Sequence, residues 1–423
     1  MHLNDKPRKR IVVLGAGLAG LAAADSLSHN HEVIILEKED FIGGLASSFD
    51  YKGYKIPKHY HHVFSHDNIT KGYLKKCGLK KMAWKKIKMG IVANNKRYNF
   101  TNPLGLLKFD YLSFWARIRY GLFGFYVLKL MNPKNIPDSL DAETWLMRKA
   151  GREITRKLFY HLYARNKFNT PLNMISARQF AYRLKAGEAL GKFGYPREGL
   201  DKFIQNLEKS IVYKRGTLIK NAKITGIDCK NKTIYYNKKK IKADIIINTI
   251  PIPFFLKISS GLPTDYQRKL KKIKYCPCVT VIFGTKKCLD TFYWLNIFNE
   301  RIGMLMQHSN LYDGYDVKIN WALRYGGSEE DLNLSDKEII KEYLKPLKRL
   351  YKFEVLWSKV FKETYAEPIY DKYYSENKPS YRTPCEGIYW AGVGMTYPKI
   401  RNMNTALESG LKVARIIEND LKE

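Results

Sequence analysis

The sequence predicts an α/β protein: a domain built on a buried parallel sheet, interleaved with an α+β domain that carries an antiparallel sheet and capping helices. Three observations predict it. Near the start of the chain a β-branched run passes straight into a glycine-rich turn and a helix. Short apolar runs of the same buried character return near residues 245 and 388. Between them lie long helical and strand-like stretches. At 423 residues the chain exceeds one ordinary core, so two units are expected.

Residues 10–14, Arg-Ile-Val-Val-Leu, suit a buried parallel strand. Gly15-Ala-Gly17-Leu18-Ala19-Gly20 follows at once. In this spacing Gly15 permits the tight turn, Gly17 lets the backbone approach a pyrophosphate, and Gly20 lets the helix pack closely on the strand. Residues 18–28 have helical character, with Ala22, Ala23, Ala24 and Leu27. Such a helix presents free N–H groups and about half a unit of positive charge to phosphates. His31 to Glu37 forms a second strand, whose terminal acid is placed to accept hydrogen bonds from adenosine ribose hydroxyls. Strand, turn, helix, strand and acid in order make a Rossmann-like dinucleotide unit. They do not separate NAD from FAD.

Residues 41–48, Phe-Ile-Gly-Gly-Leu-Ala-Ser-Ser, narrow that choice. The pair Gly43-Gly44 resembles the double-glycine motif of the FAD superfamily that includes monoamine oxidases, protoporphyrinogen oxidase, phytoene desaturases and UDP-galactopyranose mutase. Leu45 stands where many members carry Arg. Residues 243–251, containing Asp244 and Asn248, resemble that superfamily's late strand back to the nucleotide domain. Residues 387–392, ending in Ala391-Gly392, resemble its last strand, with Val393 where members often have Asp. A helix from about Thr405 to Glu418 follows Asn402-Met403-Asn404. In the superfamily this helix points its N-terminus at the flavin, where its dipole favours negative charge on the reduced ring.

The resemblance implies a GR2-type FAD domain over 1–100, 200–255 and 380–423, with a substrate domain over 101–199 and 256–379. It implies FAD contacts at Gly15, Gly17, Leu18, Ala19, Gly20, Glu37, Lys38, Gly43, Gly44, Leu45, Ala46, His61, Gly392, Val393, Asn402, Met403 and Asn404.

Four of the nine histidines, His59, His61, His62 and His66, fall within eight positions. A solvated loop, a metal site and an active-site lining all remain open. A metal site wants ligands at a helical or strand period with a distant partner, and none is evident, so no metal is expected. The block resembles the Lys-Tyr-Gly-Ala-His-Ile-Phe-His stretch of UDP-galactopyranose mutase. The match puts His62 on that family's flavin-side histidine, with Lys58 and Phe64 also matched and Ser65 at its second histidine. His62 is therefore the expected catalytic residue, donating a hydrogen bond to the flavin or shuttling a proton at near-neutral pH. The mutases' Asp-Met-Asp has its echo in Asn402-Met403-Asn404, and Tyr397 answers to one of their tyrosines. Their Arg after the late glycine is absent.

Gly90 to Phe100 reads as a hairpin turning at Asn94-Asn95. Residues 104–130 are rich in Leu, Phe, Tyr and Trp, interrupted by Arg117, Arg119 and Lys129. They read as capping helices, packed as core or forming an amphipathic face toward a membrane or greasy substrate. Residues 141–168 read as helical, 194–199 as a loop before a helix at 200–210, and 365–368 and 382–384 as loops. Residues 279–283, 303–308 and 318–323 alternate as an antiparallel sheet, with His308, Arg324 and Tyr325 at its expected edges.

Lys plus Arg exceed Asp plus Glu by 34, yet the lysines are dispersed and no nucleic-acid module appears. Biased composition explains the excess, or attraction to anionic or lipid-linked substrates or an acidic membrane face. Six scattered cysteines without CxxC pairing fit free thiols. No apolar run spans a bilayer. The basic cluster Lys6, Arg8, Lys9 and Arg10 precedes a run too short for a signal peptide, so a cytoplasmic location, in touch with a membrane face or not, is expected. The resemblance leaves three functions: an FAD oxidoreductase, a non-redox flavin-dependent sugar mutase, and a flavoprotein that uses FAD as a staple.

Overall fold

The computed structural model describes residues 8–187, 191–326 and 329–422; Lys6 lies outside them. Five parallel strands form the first sheet, in the order Thr217–Ile219, Glu32–Leu36, Arg10–Leu14, Ile245–Asn248, Ile388–Trp390. Both faces of Arg10–Leu14 are covered, which is why its sequence is a continuous apolar run rather than an alternation. Ile11 and Val13 pack toward the helices Leu18–Leu27, Leu200–Tyr213 and Met403–Asp420. Val12 and Leu14 pack on the other face against Ile224, Ile227, Ile234 and Phe255. The two glycine-bearing helices meet closely: a Cβ at Gly410 would lie 2.2 Å from the Ala19 carbonyl oxygen. The C-terminal helix is thereby bound to the first helix of the chain.

A second sheet has seven strands, ordered Trp357–Pro368, Tyr275–Thr285, Lys318–Tyr325, Met304–Gln307, Trp294–Ile297, Met89–Ala93, Lys96–Asn99. The predicted antiparallel strands are all in it. The helix Asp336–Leu350 covers one face, packing Ile339, Tyr343 and Leu347 on Val279, Val281 and Leu305.

Four local expectations are corrected. The hairpin forms, with Asn94 and Asn95 both at positive φ, but it does not belong to the nucleotide unit. Met89–Ala93 pairs in parallel with Trp294–Ile297, because Ile91 and Val92 are buried on opposite faces of the second sheet. The expected loop at 194–199 begins as a strand, Lys192–Pro196, paired with Val63–Phe64 and Met82–Lys86. Phe193 and Tyr195 are fully buried there, and the intervening glycine and proline hid the alternation. Tyr365 to Pro368 ends the long edge strand Trp357–Pro368 rather than forming a loop. Lys359 is exposed and Lys362 and Glu363 are half-buried at this sheet edge, which masks its period. Arg324 and Tyr325 sit on an interior strand, not an edge, and His308 is wholly buried.

Candidate functional site

At the end of the first strand, the Gly15 N–H donates to the Leu36 carbonyl at 2.8 Å, joining the turn to the neighbouring strand. Gly20 is tightly enclosed: a Cβ there would stand 2.2 Å from the Gly15 carbonyl oxygen. Gly17 differs, since nothing lies within 4 Å of the position a Cβ would take. Gly17 is also the N-cap of Leu18–Leu27, with no side chain capping the helix.

The second glycine pair completes the cradle. Gly43 forms a parallel bridge with Gly17, and its N–H donates to the Ala16 carbonyl at 2.8 Å. Gly44 takes φ +55°, and a Cβ on it would approach the Gly17 Cα to 3.2 Å. The two loops thus meet backbone to backbone. Glu37 sits at their side, accepting the Ala16 N–H at 2.7 Å and the Glu39 N–H at 3.0 Å. The hydroxyls of Ser47 and Ser48, just beyond the 3-10 turn Gly44–Ala46, are buried without a hydrogen-bond partner. Leu18, Ala19 and Ala46 are buried behind the loops and Leu45 is half-buried. Lys38 points away, pairing with Glu39 at 3.1 Å on the surface.

The C-terminal residues of the expected site are assembled next to this. Gly392 takes φ +105° and donates its N–H to Ser409 Oγ at 2.9 Å. The Val393 carbonyl accepts from the Tyr370 hydroxyl at 2.6 Å. Asn402 and Asn404 are both helix caps. Asn402 Oδ1 accepts the Thr405 N–H at 2.9 Å within a capping box. Asn404 Oδ1 reaches a different helix, accepting the N–H groups of Ile69 and Thr70 at 3.0 Å each. Met403 is buried between them.

The histidine block runs across the second sheet, strand by strand. Its start is tied to the glycine loop by the Lys58 N–H, which donates to the Ser47 carbonyl at 3.0 Å. Trp321 Nε1–H donates to the Pro57 carbonyl at 3.2 Å. His59 Nδ1 lies 3.3 Å from Thr280 Oγ1, and the Tyr325 hydroxyl lies 3.4 Å from that of Tyr60. His61 Nδ1 is 2.9 Å from the His59 carbonyl. His62 Nδ1 is 3.1 Å from the Tyr293 hydroxyl. Its ring is enclosed by Phe193 and Phe64, with centroids at 4.3 and 4.8 Å, and by Tyr60 and Trp294. Lys58 places its ammonium 3.1 Å from the centre of the Phe41 ring, and burial lowers its pKa.

Burial holds His62 down to about 3 and His61 down to about 4. Both imidazoles are neutral at pH 7. Burial favours the neutral imidazole, so of the two expected roles of His62 the hydrogen bond fits this aromatic enclosure better than the proton shuttle. The ring remains a donor or acceptor through Nε2, with Nδ1 engaged by Tyr293.

Sequence reasoning missed a buried charged cluster beside the last helix. Arg401 precedes Asn402 and donates to the Glu367 carboxylate and the Pro368 carbonyl. Its guanidinium carbon lies 4.6 Å from the Tyr370 ring centre and 5.5 Å from that of Phe168. Arg183 approaches the same Phe168 ring at 5.7 Å, and the Lys167 ammonium lies 4.8 Å from that of Tyr325. All three cations are buried. Burial raises the pKa of Glu367, and the charges of Arg401, Lys167 and Arg183 outweigh it, leaving the carboxyl below its ordinary range. The three cations come from two helices and a loop, so no spacing in the chain announces them.

The double glycine cradle stands at the end of the first strand of a five-stranded parallel sheet in a mixed α/β protein. The chain belongs to the flavin-containing amine oxidoreductase family, which it matches over residues 18–417. It is 23% identical to the tomato (Solanum lycopersicum) 15-cis-phytoene desaturase over 471 aligned positions, covering 99% of this chain and 79% of that one. A protein of Methanocaldococcus jannaschii is 36% identical over 105 residues, 24% of this chain; the match spans only 26% of that relative's length. The crystal structure of reduced UDP-galactopyranose mutase superposes with a TM-score of 0.79 at 15% identity, covering 99% of this chain and 95% of that one. At that identity the likeness is one of fold.

Proposed function

We propose that this chain is an FAD-dependent oxidoreductase that takes a hydride equivalent from a C–N or C–C bond of an organic substrate. The observation that carries this reading is the double cradle, Gly17 bridged to Gly43 before a helix N-terminus with no side-chain cap. When bound, the flavin supplies the two-electron acceptor. The Gly17 backbone and the first amides of Leu18–Leu27 hold the pyrophosphate, where aligned N–H groups favour negative charge. Glu37 accepts hydrogen bonds from ribose hydroxyls, and the unpartnered Ser47 and Ser48 hydroxyls supply further polar contacts. Tyr293 holds the His62 ring, so that Nε2 offers one fixed hydrogen bond to ring or substrate. Phe64, Phe193 and Trp294 keep water from that imidazole. The same reading places the protein in the cytoplasm, where its six free thiols stay reduced.

Purified protein should carry bound FAD, visible in its absorption spectrum and identified by mass after release. The reduced flavin should be reoxidised by an organic acceptor, and a true substrate should bleach the oxidised form. Protein purified without flavin, and unable to bind added FAD, refutes the cofactor reading. A His62→Ala variant that retains full turnover refutes the role given to that residue.

One observation favours a second reading, a non-redox mutase acting on a nucleotide sugar. Lys167, Arg183 and Arg401 are buried around a single carboxylate, a setting suited to an anionic substrate group. Turnover of a nucleotide sugar that requires prior reduction yet consumes no electrons would establish it in place of the first.

A further inference from the structure

The helix Phe114–Phe125 carries its apolar stripe on the wrong side for a core element. Only Ala116 and Phe123 of this helix are buried. Phe114, Trp115, Ile118, Leu122 and Phe125 are exposed, Trp115 at 77% and Leu122 at 67% of their full surface. At 3.6 residues per turn these five fall within a stripe about 100° wide, the width of a core-facing helix surface. The short helix Pro103–Leu107 packs beside it and adds Leu104 and Leu107, and Leu130 extends the surface past the helix end. Of the fifteen exposed large apolar side chains among the described residues, eight lie in this one segment, so the patch is local rather than scattered. Soluble monomers seldom leave a continuous apolar surface of this extent uncovered.

Charge decides what covers it. Between residues 103 and 130 the chain has Lys108, Arg117, Arg119 and Lys129 against one acid, Asp110. That acid is spent on the Tyr98 hydroxyl and on Lys96, the latter at 3.0 Å. The Lys149 ammonium lies 5.1 Å from the Tyr126 ring at the end of the same segment. An apolar stripe with aromatic members, rimmed by cations, matches the interfacial layer of an anionic bilayer, where rings and aliphatic chains sit below the headgroups and lysines contact them. A second copy of this chain would bring the same positive rim to the interface, which repels. No helix among the described residues is long and apolar enough to cross a membrane.

We propose that the surface formed by Pro103–Leu107 and Phe114–Phe125 docks the protein on an anionic lipid bilayer, inserting Trp115, Leu122 and their neighbours into the interface. This docking is independent of the flavin reading. Flavin-loaded protein should sediment with vesicles of phosphatidylglycerol and phosphatidylcholine, and at least tenfold less with phosphatidylcholine alone. A Leu104→Ser/Trp115→Ser/Leu122→Ser variant should lose vesicle binding at least tenfold while keeping its flavin content and melting temperature, since all three side chains face solvent. A Lys108→Gln/Arg119→Gln/Lys129→Gln variant should lose the preference for anionic vesicles. The proposal is overturned if the serine variant binds vesicles as the parent does. It is also overturned if the parent ignores anionic vesicles, or if light scattering shows a dimer that the serine variant dissolves. Should the serine variant misfold, a Trp115→Ser variant alone decides by the same sedimentation measurement.

Discussion

Glycines at neighbouring positions of one turn do opposite jobs. Gly20 has no room, because the Gly15 carbonyl oxygen occupies the place of a side chain. Gly17 has room, since nothing lies within 4 Å of the place a Cβ would take, and this is the space the proposed FAD pyrophosphate would use. Gly20→Ala should therefore damage the fold itself, forcing helix and turn apart with a loss of stability of about 2 kcal/mol or more, as overpacking does. Gly17→Ala should leave the apoprotein's unfolding free energy, measured in urea, within about 0.5 kcal/mol of the parent, as substitutions that meet nothing do, yet weaken FAD binding at least tenfold in a fluorescence titration. Equal flavin affinity in the Gly17→Ala protein would remove the pyrophosphate from this position. The motif was legible in the chain at this scale. The different demands on its members were not, since they depend on which atoms face each missing Cβ.

Asn402-Met403-Asn404 reads in the chain as one feature, and its two amides work on separate helices. Asn402 caps Met403–Asp420, on which it stands, whereas Asn404 caps Asn68–Lys76 from more than three hundred residues away in sequence. Asn404 thus joins the helix after the histidine block to the one at the end of the chain. Asn404→Ala should cost about 1 kcal/mol, the usual value of a lost N-cap, and should raise amide exchange at Ile69 and Thr70 more than at Thr405. Exchange rising at Thr405 instead would mean that the cap belongs to its own helix. The helices at 18–28, 141–168, 200–210 and 405–418 and the strands at 279–283, 303–308 and 318–323 were legible from apolar periodicity. The strands Lys192–Pro196 and Trp357–Pro368 were not, because a glycine and a proline interrupt the first and Lys359, Lys362 and Glu363 break the apolar pattern of the second.

Several histidines are held as neutral rings, His308 wholly buried and His61 and His62 half-buried, which couples the stability of the whole molecule to pH. His61, His62 and His308 are held down to about 4, 3 and 3 by burial. In the unfolded chain each titrates near 6.5, so as pH falls below that value the unfolded state takes up protons that the folded state refuses. Stability is then full above about pH 6.5 and is lost on acidification, at a limiting slope of about 1.4 kcal/mol per pH unit for each ring. Urea unfolding between pH 7.5 and 5 should show this decline, and His308→Gln should flatten it. A stability that is level across that interval would mean that these rings take up protons in the folded protein as they do in the unfolded chain.

The chain by itself determined four of the five strands of the parallel sheet, the order of its motifs and the glycine cradle, because each rests on residues adjacent in sequence or on a local period. Tertiary structure alone decided that Met89–Ala93 joins the far sheet and that His62 is neutral. It alone gathered Arg183 and Arg401 about Phe168 and turned the stripe of Phe114–Phe125 outward. These outcomes depend on what is packed against a residue from distant parts of the chain, and local pattern carries no record of that neighbour.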